Sequence, residues 1–421
     1  MADIGILAAV IFAYALVSRR LDRASITAPM VIVVAGMLLG PDVLGASDLE
    51  LTSDTGLLIA EIALVLVLFA DAARIDLGAL RGGRSLPARL LGIGMPLTIG
   101  LGVVAAAVLL GQLEFWEAAI VAAVLAPTDA ALGQAVVSSE LVPQRIRQAL
   151  NVESGLNDGL SIPFLYLFVG LAVAEADVTA RSWLAFAAEQ VGLGTLVGVA
   201  AGIVGGSLVK RAIQHRTITS TFEQLAMVAL ALGAWALASE VGGNGFIAAF
   251  TAGLATARIT PECGKRILDF SEDEGQLLNL VVFFAFGVSA IGFLDAAGWE
   301  VVVYGLLSLT VIRMLPVAIS LLGTGLRAGS VAFCAWFGPR GLASIILALV
   351  VVEEEPSLPA LDVILATMTV TVLASVFAHG LSARPLVRRY SRSIRDAPPT
   401  APEREPAVDM PVRGRLAEPM R

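Results

Sequence analysis

The chain has 421 residues, 57% of them hydrophobic and 15% charged, with a mean hydropathy of +0.84. Soluble domains run about 45–50% apolar and about 25% charged, so the excess is that of a polytopic membrane protein. Two cysteines, Cys263 and Cys334, and two histidines, His215 and His379, are too few for a disulfide scaffold, a metal centre or a histidine triad. The expectation is no cofactor, no nucleic-acid partner and no enzymatic activity; the net charge of -8 says less than its distribution.

A helix needs about 20 mostly apolar residues to cross the hydrocarbon. The first such stretch starts at Ile4 with no basic region before it and no small-residue cleavage site after it, so it reads as a retained span. About thirteen spans meet the criterion: roughly 3–18, 24–40, 55–73, 86–111, 114–138, 147–174, 183–209, 221–241, 243–257, 274–291, 300–323, 329–352 and 360–382. The ninth is short and glycine-interrupted, which leaves twelve as the other count. Alternate connections sort the cations. One set holds Arg19, Arg20 and Arg23, then Arg74, Arg81, Arg84 and Arg89, then Arg145 and Arg147, Lys210, Arg211 and Arg216, Arg258, Lys265 and Arg266, and Arg327, with everything from Arg384 onward on the same side. The other set holds Arg181 and acidic runs such as Glu353–Glu355. Basic connections stay in the cytoplasm, which puts the N-terminus outside and the C-terminus inside a cell (inner) membrane. Residues 391–421, rich in Pro and Arg, read as a disordered cytoplasmic tail.

Three landmarks recur at an offset of 212–220 residues: Gly36 with Gly253, Pro96 with Pro316, and Pro127 with Pro339. They fall in spans two and nine, four and eleven, five and twelve. A shift of seven spans is odd, so the halves have opposite orientation, which is the inverted-repeat plan of secondary transporters. Spans five and twelve are both interrupted by proline near mid-membrane, beside Asp129 and Arg340. Unwound backbone at that depth survives where it lines a cavity or is buried in protein, and two broken helices in equivalent positions point to a transport site.

Five charges sit inside the spans: Asp129, Glu153, Asp158, Arg313 and Arg340. Unpaired, they would cost on the order of 10 kcal/mol or more. Span six reads NVESGLNDGLSIPF. At about 100° per residue, Asn151, Ser154, Asp158 and Ser161 form one polar stripe, while Glu153 lies about 140° around from Asp158. Asp158 is therefore expected to face a cavity, and Glu153 to seek a cation, for which Arg313 is the candidate. Alkali cations take oxygen ligands, as other hard cations do; Asp158, Asp129, Ser154, Asn157 and Thr128 supply them. Burial favours a proton on a carboxylate and a bound cation favours its loss, so the two compete for the same oxygens and no covalent chemistry is needed.

These residues together resemble the NhaP-type sodium/proton exchanger family of monovalent cation/proton antiporters. Thr128-Asp129 resembles the Thr-Asp pair in its first unwound helix, ESGLNDG its next-helix motif, Arg313 in RMLPVAIS the arginine that pairs with that motif's glutamate, and GPRGLAS the second unwound helix. The resemblance runs from the first span to about Ser391. It implies an all-α antiporter fold with crossed unwound helices over residues 1–390. The mobile core would be about 86–174 and 300–390, the dimerisation scaffold about 1–85 and 183–291, and the assembly a homodimer. Asp158 would carry cation and proton, with Asp129, Thr128, Ser154 and Asn157 completing the site for sodium, potassium or lithium. Glu153 and Arg313 would form a structural ion pair, and Arg340 would offset charge where the broken helices cross. An Asn-Asp pattern implies electroneutral exchange. Potassium/proton exchange, or a gated channel or ion sensor on the same scaffold, are the alternatives. Two departures stand out. Ala130 follows Asp129 where the family has proline, and span three carries Asp71 one position beyond a glutamate found in some members. Asp71 either attracts cations or meets Arg74 as a helix-end charge. Among the remaining groups, His215 reads as a solvated loop residue, His379 as interfacial and Cys334 as a small core residue.

Overall fold

The computed structural model describes residues 2–75, 86–177, 180–395, 397, 398 and 400–405, with the side chains of 2, 174–187 and 261–274 outside that description. Arg81, Arg84 and residues 406–421 fall outside it, as do the side chains of Arg181, Lys265 and Arg266. The described residues are helical, with no strand. In order they form α1 (Ala2–Arg23), α2 (Ala28–Leu39), α3 (Asp54–Ala73), α4 (Leu86–Leu109), α5 (Phe115–Val124), α6 (Gln134–Val137), α7 (Gln144–Asp177), α8 (Ala180–Gln214), α9 (Ser220–Glu240), α10 (Gly245–Ile259), α11 (Pro261–Phe293), α12 (Trp299–Ser320), α13 (Ala328–Trp336), α14 (Leu342–Glu354) and α15 (Leu361–Arg395). Among the described residues nine of these helices are long and apolar enough to cross a bilayer, and α2, α5 and α10 are shorter apolar ones. Counting α5 with α6 and α13 with α14 as two interrupted spans gives the thirteen read from hydropathy. Several helices overrun the apolar stretches. At about 1.5 Å per residue α15 is about 52 Å long, well beyond a hydrocarbon layer about 30 Å thick.

Local chemistry sets the ends and the irregularities. The Ser53 hydroxyl accepts the Gly56 amide (3.1 Å) at the start of α3, and the Asn244 carbonyl oxygen accepts the Ile247 amide (2.9 Å) at the start of α10. Proline lacks an N–H, so the helix before it must adjust. In α4 a π-helical turn at Leu90–Gly94 precedes Pro96, and in α12 the chain bends at Thr310 (φ −112°, ψ −97°) ahead of Pro316. The glycine landmarks are contact points. A Cβ on Gly36 would lie 2.3 Å from the Phe284 carbonyl oxygen, so α2 lies directly on α11. A Cβ on Gly253 would lie 2.4 Å from the Phe69 carbonyl oxygen, so α10 lies on α3. Span two on span ten and span nine on span three are the same contact with the halves exchanged.

Contacts between connections respect the two sides. Asp3 Oδ1 accepts from the Ser47 hydroxyl (2.9 Å) and the Asp48 amide (3.0 Å), joining the N-terminus to the acidic connection after α2. On the basic side the Arg89 guanidinium donates to the Ser320 carbonyl (2.6 Å), and Arg145 pairs with Glu405 (2.7 Å). Asp3 and Glu405 therefore lie at opposite ends of the helix stack, as an odd number of crossings between them requires.

Residues 391–405 depart from the disordered tail read from composition. Helix α15 continues to Arg395, Ala397 and Ala401 are buried, and Glu403 is buried completely. Glu403 Oε1 accepts the Arg327 amide (2.9 Å) and the Ser330 hydroxyl (2.7 Å) at the start of α13. Composition misses this strap because a few buried anchors suffice to hold a Pro- and Arg-rich segment.

Candidate functional site

The two breaks, Leu125–Gly133 and Phe337–Gly341, lie against each other. The Asp129 amide donates to the Pro339 carbonyl (2.7 Å). A helix C-terminus leaves carbonyls without donors and an N-terminus leaves amides without acceptors, with matching partial charges. Both ends are served from the opposite half of the chain. Arg340 is fully buried, and its Nη1 donates to the carbonyls of Ala126 (2.7 Å) and Pro127 (2.9 Å) just beyond the C-terminus of α5. Asp129 Oδ2 accepts the Leu342 amide (2.8 Å) at the N-terminus of α14, and its Oδ1 accepts those of Ala131 (2.7 Å) and Leu132 (3.2 Å). A cation of the second repeat thus neutralises a helix end of the first, and an anion of the first neutralises a helix end of the second. The glycines of GPRG make the approach possible. A Cβ on Gly341 would lie 2.1 Å from Asp129 Oδ2, and one on Gly338 would lie 2.4 Å from Arg313 Nε.

Helix α7 passes beside this crossing. The Asn157 amide nitrogen donates to Thr128 Oγ1 (2.7 Å), linking α7 to the first break. Asp158 (6% exposed) and Ser154 (7%) are buried one helical turn apart, with Ser154 Oγ donating to the Asn151 carbonyl and Ser161 Oγ to the Asp158 carbonyl. Around the helix, Glu153 accepts a two-pronged bond from Arg313 of α12, Nη1 to Oε1 at 2.5 Å and Nη2 to Oε2 at 2.9 Å, with both side chains buried. Asp71 packs beside Gly155, whose Cβ would lie 3.5 Å from that of Asp71, and Arg74 approaches Asp71 at 3.6 Å.

The structure therefore brings Thr128 to Asn157, Glu153 to Arg313, and Asp129 and Arg340 to the helix ends. Asp129 has a use that the sequence reading did not foresee: backbone amides occupy both of its oxygens. His379, read as interfacial, is buried in protein: it is 1% exposed, with Nε2 3.0 Å from the Trp336 carbonyl at the end of α13. The Ser375 hydroxyl, one turn earlier on α15, accepts the Arg340 amide (2.6 Å). The available signal was the i, i+4, i+7 polar stripe Ser375, His379 and Ser382 within an apolar helix.

The family model described as a transmembrane sodium/hydrogen exchanger matches residues 6–389. The chain belongs to the sodium/hydrogen exchanger family. Among its relatives, the K(+)/H(+) antiporter NhaP of Alkalimonas amylolytica is 28% identical over 392 residues, covering 91% of this chain and 66% of that one. The Na(+)/H(+) antiporter NhaP of Pseudomonas aeruginosa is 27% identical, covering 77% of this chain and 78% of that one. The chain thus spans just under two thirds of the first relative. Among solved structures, the sodium proton antiporter MjNhaP1 of Methanocaldococcus jannaschii superposes with a TM-score of 0.75 at 21% identity, covering 92% of this chain and 98% of that one. The fold of this exchanger family member is therefore that of the antiporter, with its two interrupted spans at the crossing.

Proposed function

We propose that this chain is a secondary active antiporter exchanging a monovalent cation, sodium in the first instance, for a proton by alternating access. The observation that carries the reading is the pair of crossed breaks with reciprocally neutralised helix ends, beside which α7 holds the buried Asp158. Such a crossing places no net helix-dipole charge at the site, so the carboxylate of Asp158 is left to set which positive species binds. Ser154 and the Thr128–Asn157 pair supply neutral oxygens near it. Asp129 acts by fixing the break, since its oxygens accept three amides. Asn157 does not titrate. One exchanging carboxylate then trades one proton for one cation, and the exchange is electroneutral. The Glu153–Arg313 pair holds α7 against α12. The chain works as a homodimer in the cell membrane, with the N-terminus outside, the C-terminus in the cytoplasm, and residues of about 86–174 and 300–390 as the moving body.

Potassium is the competing cargo, since relatives of similar identity carry either cation in their names. The deciding measurement is proton movement in liposomes after pulses of sodium, potassium or lithium, with Asp158→Asn alongside. Cation-driven proton flux in the native chain and its loss in Asp158→Asn are expected; flux that survives the substitution removes Asp158 from this role. Indifference of the flux to an imposed voltage tests electroneutrality.

A further inference from the structure

In a continuous helix the carbonyl of residue i accepts the amide of residue i+4. Across the second break that bond would join the Trp336 carbonyl to the Arg340 amide. It is absent, and the Arg340 amide is buried in a span where an unmet backbone group costs several kcal/mol. The Trp336 carbonyl accepts the Gly338 amide instead (2.9 Å), and each group also meets a side chain of α15. The Arg340 amide donates to Ser375 Oγ at 2.6 Å, and the Trp336 carbonyl lies 3.0 Å from His379 Nε2. Ser375 Oγ and His379 Nδ1 are themselves 3.2 Å apart.

A backbone amide only donates and a carbonyl only accepts. The contact with the Trp336 carbonyl therefore needs a proton on His379 Nε2, while Nδ1 faces both the Ser375 carbonyl (3.1 Å) and the Ser375 hydroxyl (3.2 Å). Arg340 N–H to Ser375 Oγ and His379 Nε2–H to Trp336 C=O insert two side chains where a continuous helix would have one hydrogen bond. The same stripe continues at Ser382, whose Oγ accepts the Trp336 indole N–H (3.0 Å).

We infer that Ser375 and His379 are positioning residues for transport, a clasp that holds the second unwound segment open so that Arg340 reaches the carbonyls of the first. The inference rests on the exchange reading above, because its functional readout is exchange. With the clasp removed, the Trp336–Arg340 bond is free to re-form. Helix α13 then continues toward Arg340 and draws that side chain away from Ala126 and Pro127. Asp158, Ser154 and the Thr128–Asn157 contact belong to other elements, so cation binding is touched less than turnover.

The first test is exchange kinetics in liposomes. Ser375→Ala and His379→Ala are expected to lower the maximal rate about tenfold while the apparent KM for the cation stays within about twofold. Ser375→Thr keeps the hydroxyl and is expected to restore most of the rate. Alanine variants that exchange like the native chain, or a loss of cation affinity as large as the loss of rate, overturn the inference. The second test needs no transport and no substitution at the clasp. The chain has two histidines, so His215→Gln, altering an exposed loop residue, leaves one ring signal for 15N spectroscopy in membranes. A protonated, hydrogen-bonded Nε2 is expected, and an unprotonated Nε2 overturns the clasp. If the native chain moves no protons on any cation pulse, the exchange reading fails, and the ring spectrum still decides the clasp on its own.

Discussion

The first break, Leu125–Gly133, and the second, Phe337–Gly341, are related by the repeat, yet their backbone groups are satisfied from different directions. The first is the longer, and its freed carbonyls depend on Arg340 from the other half of the chain. The second is short. Ser375 and His379 clasp it, and the Arg313 guanidinium packs against it at Gly338. The repeat offset of 212 maps Ser375 and His379 onto Pro163 and Leu167 of α7, neither of which can make the same bonds with its side chain. In their place α7 offers Asn157 to Thr128. The oxygen-rich residues thus gather at the longer break, whose freed carbonyls are met from the other half, and the short break clasped by α15 is the surface against which it is set.

The largest effect that bears on this contrast is expected at the ion pair joining the two regions. Glu153 rides on α7 with Asp158, and Arg313 packs on the second break. Glu153→Ala leaves a buried guanidinium without its carboxylate, and breaking a buried pair from one side costs about 3–5 kcal/mol. Loss of folded yield or a large drop in the midpoint of thermal unfolding in detergent is expected. The double replacement Glu153→Leu with Arg313→Met should recover much of that loss, because no charge is left stranded. If Glu153→Ala is as stable as the native chain, the two regions are not tied together there.

A smaller effect separates the breaks by their tolerance of one methyl group. Gly341→Ala places a Cβ 2.1 Å from Asp129 Oδ2, and Gly133→Ala meets nothing closer than the Asp129 carbonyl at 3.4 Å. Gly133 has φ −80°, which any residue adopts. Overpacking costs about 1–3 kcal/mol, so Gly341→Ala should lower both stability and exchange while Gly133→Ala leaves them near native. Thermal unfolding and flux measured side by side check it, and equal behaviour of the two variants would remove the distinction between a tight and a loose break.

Much of this was legible in the sequence because the bilayer imposes simple rules. Span length and the sorting of Lys and Arg gave thirteen crossings, and Gly36, Gly253 and the paired prolines gave the repeat. The intramembrane charges were legible because each is costly, and the angle between Glu153 and Asp158 separated their surroundings. What could not be read was which backbone groups the side chains serve. Asp129 read as a ligand because a carboxylate in a span suggests a cation, and no sequence rule locates the Leu342 amide beside it. His379 read as interfacial because it lies near the end of an apolar stretch, and no sequence rule locates the Trp336 carbonyl beside its ring. The strap at 397–405 was lost in a composition that suggests disorder.

The smallest effect is expected at that strap, which touches the start of α13, ahead of the second break. Burial by itself would raise the Glu403 carboxyl, but the Arg327 amide and the Ser330 hydroxyl outweigh it and hold the group below the usual carboxylate range. A depressed acid contributes stability at neutral pH that is lost as pH falls through its folded value. Acidification below that range should therefore release the strap, as should Glu403→Ala at neutral pH. Limited proteolysis between Ala397 and Glu405 is the measurement, with cleavage several-fold faster in the variant and at low pH. Exchange should change by less than about twofold, because Arg340, Ser375 and His379 hold the break directly while the strap only meets the start of α13. Cleavage that is indifferent to both treatments would mean that Ala397 and Ala401, not Glu403, anchor the segment; a large loss of exchange would mean that the second break is held from the start of α13 rather than by α15.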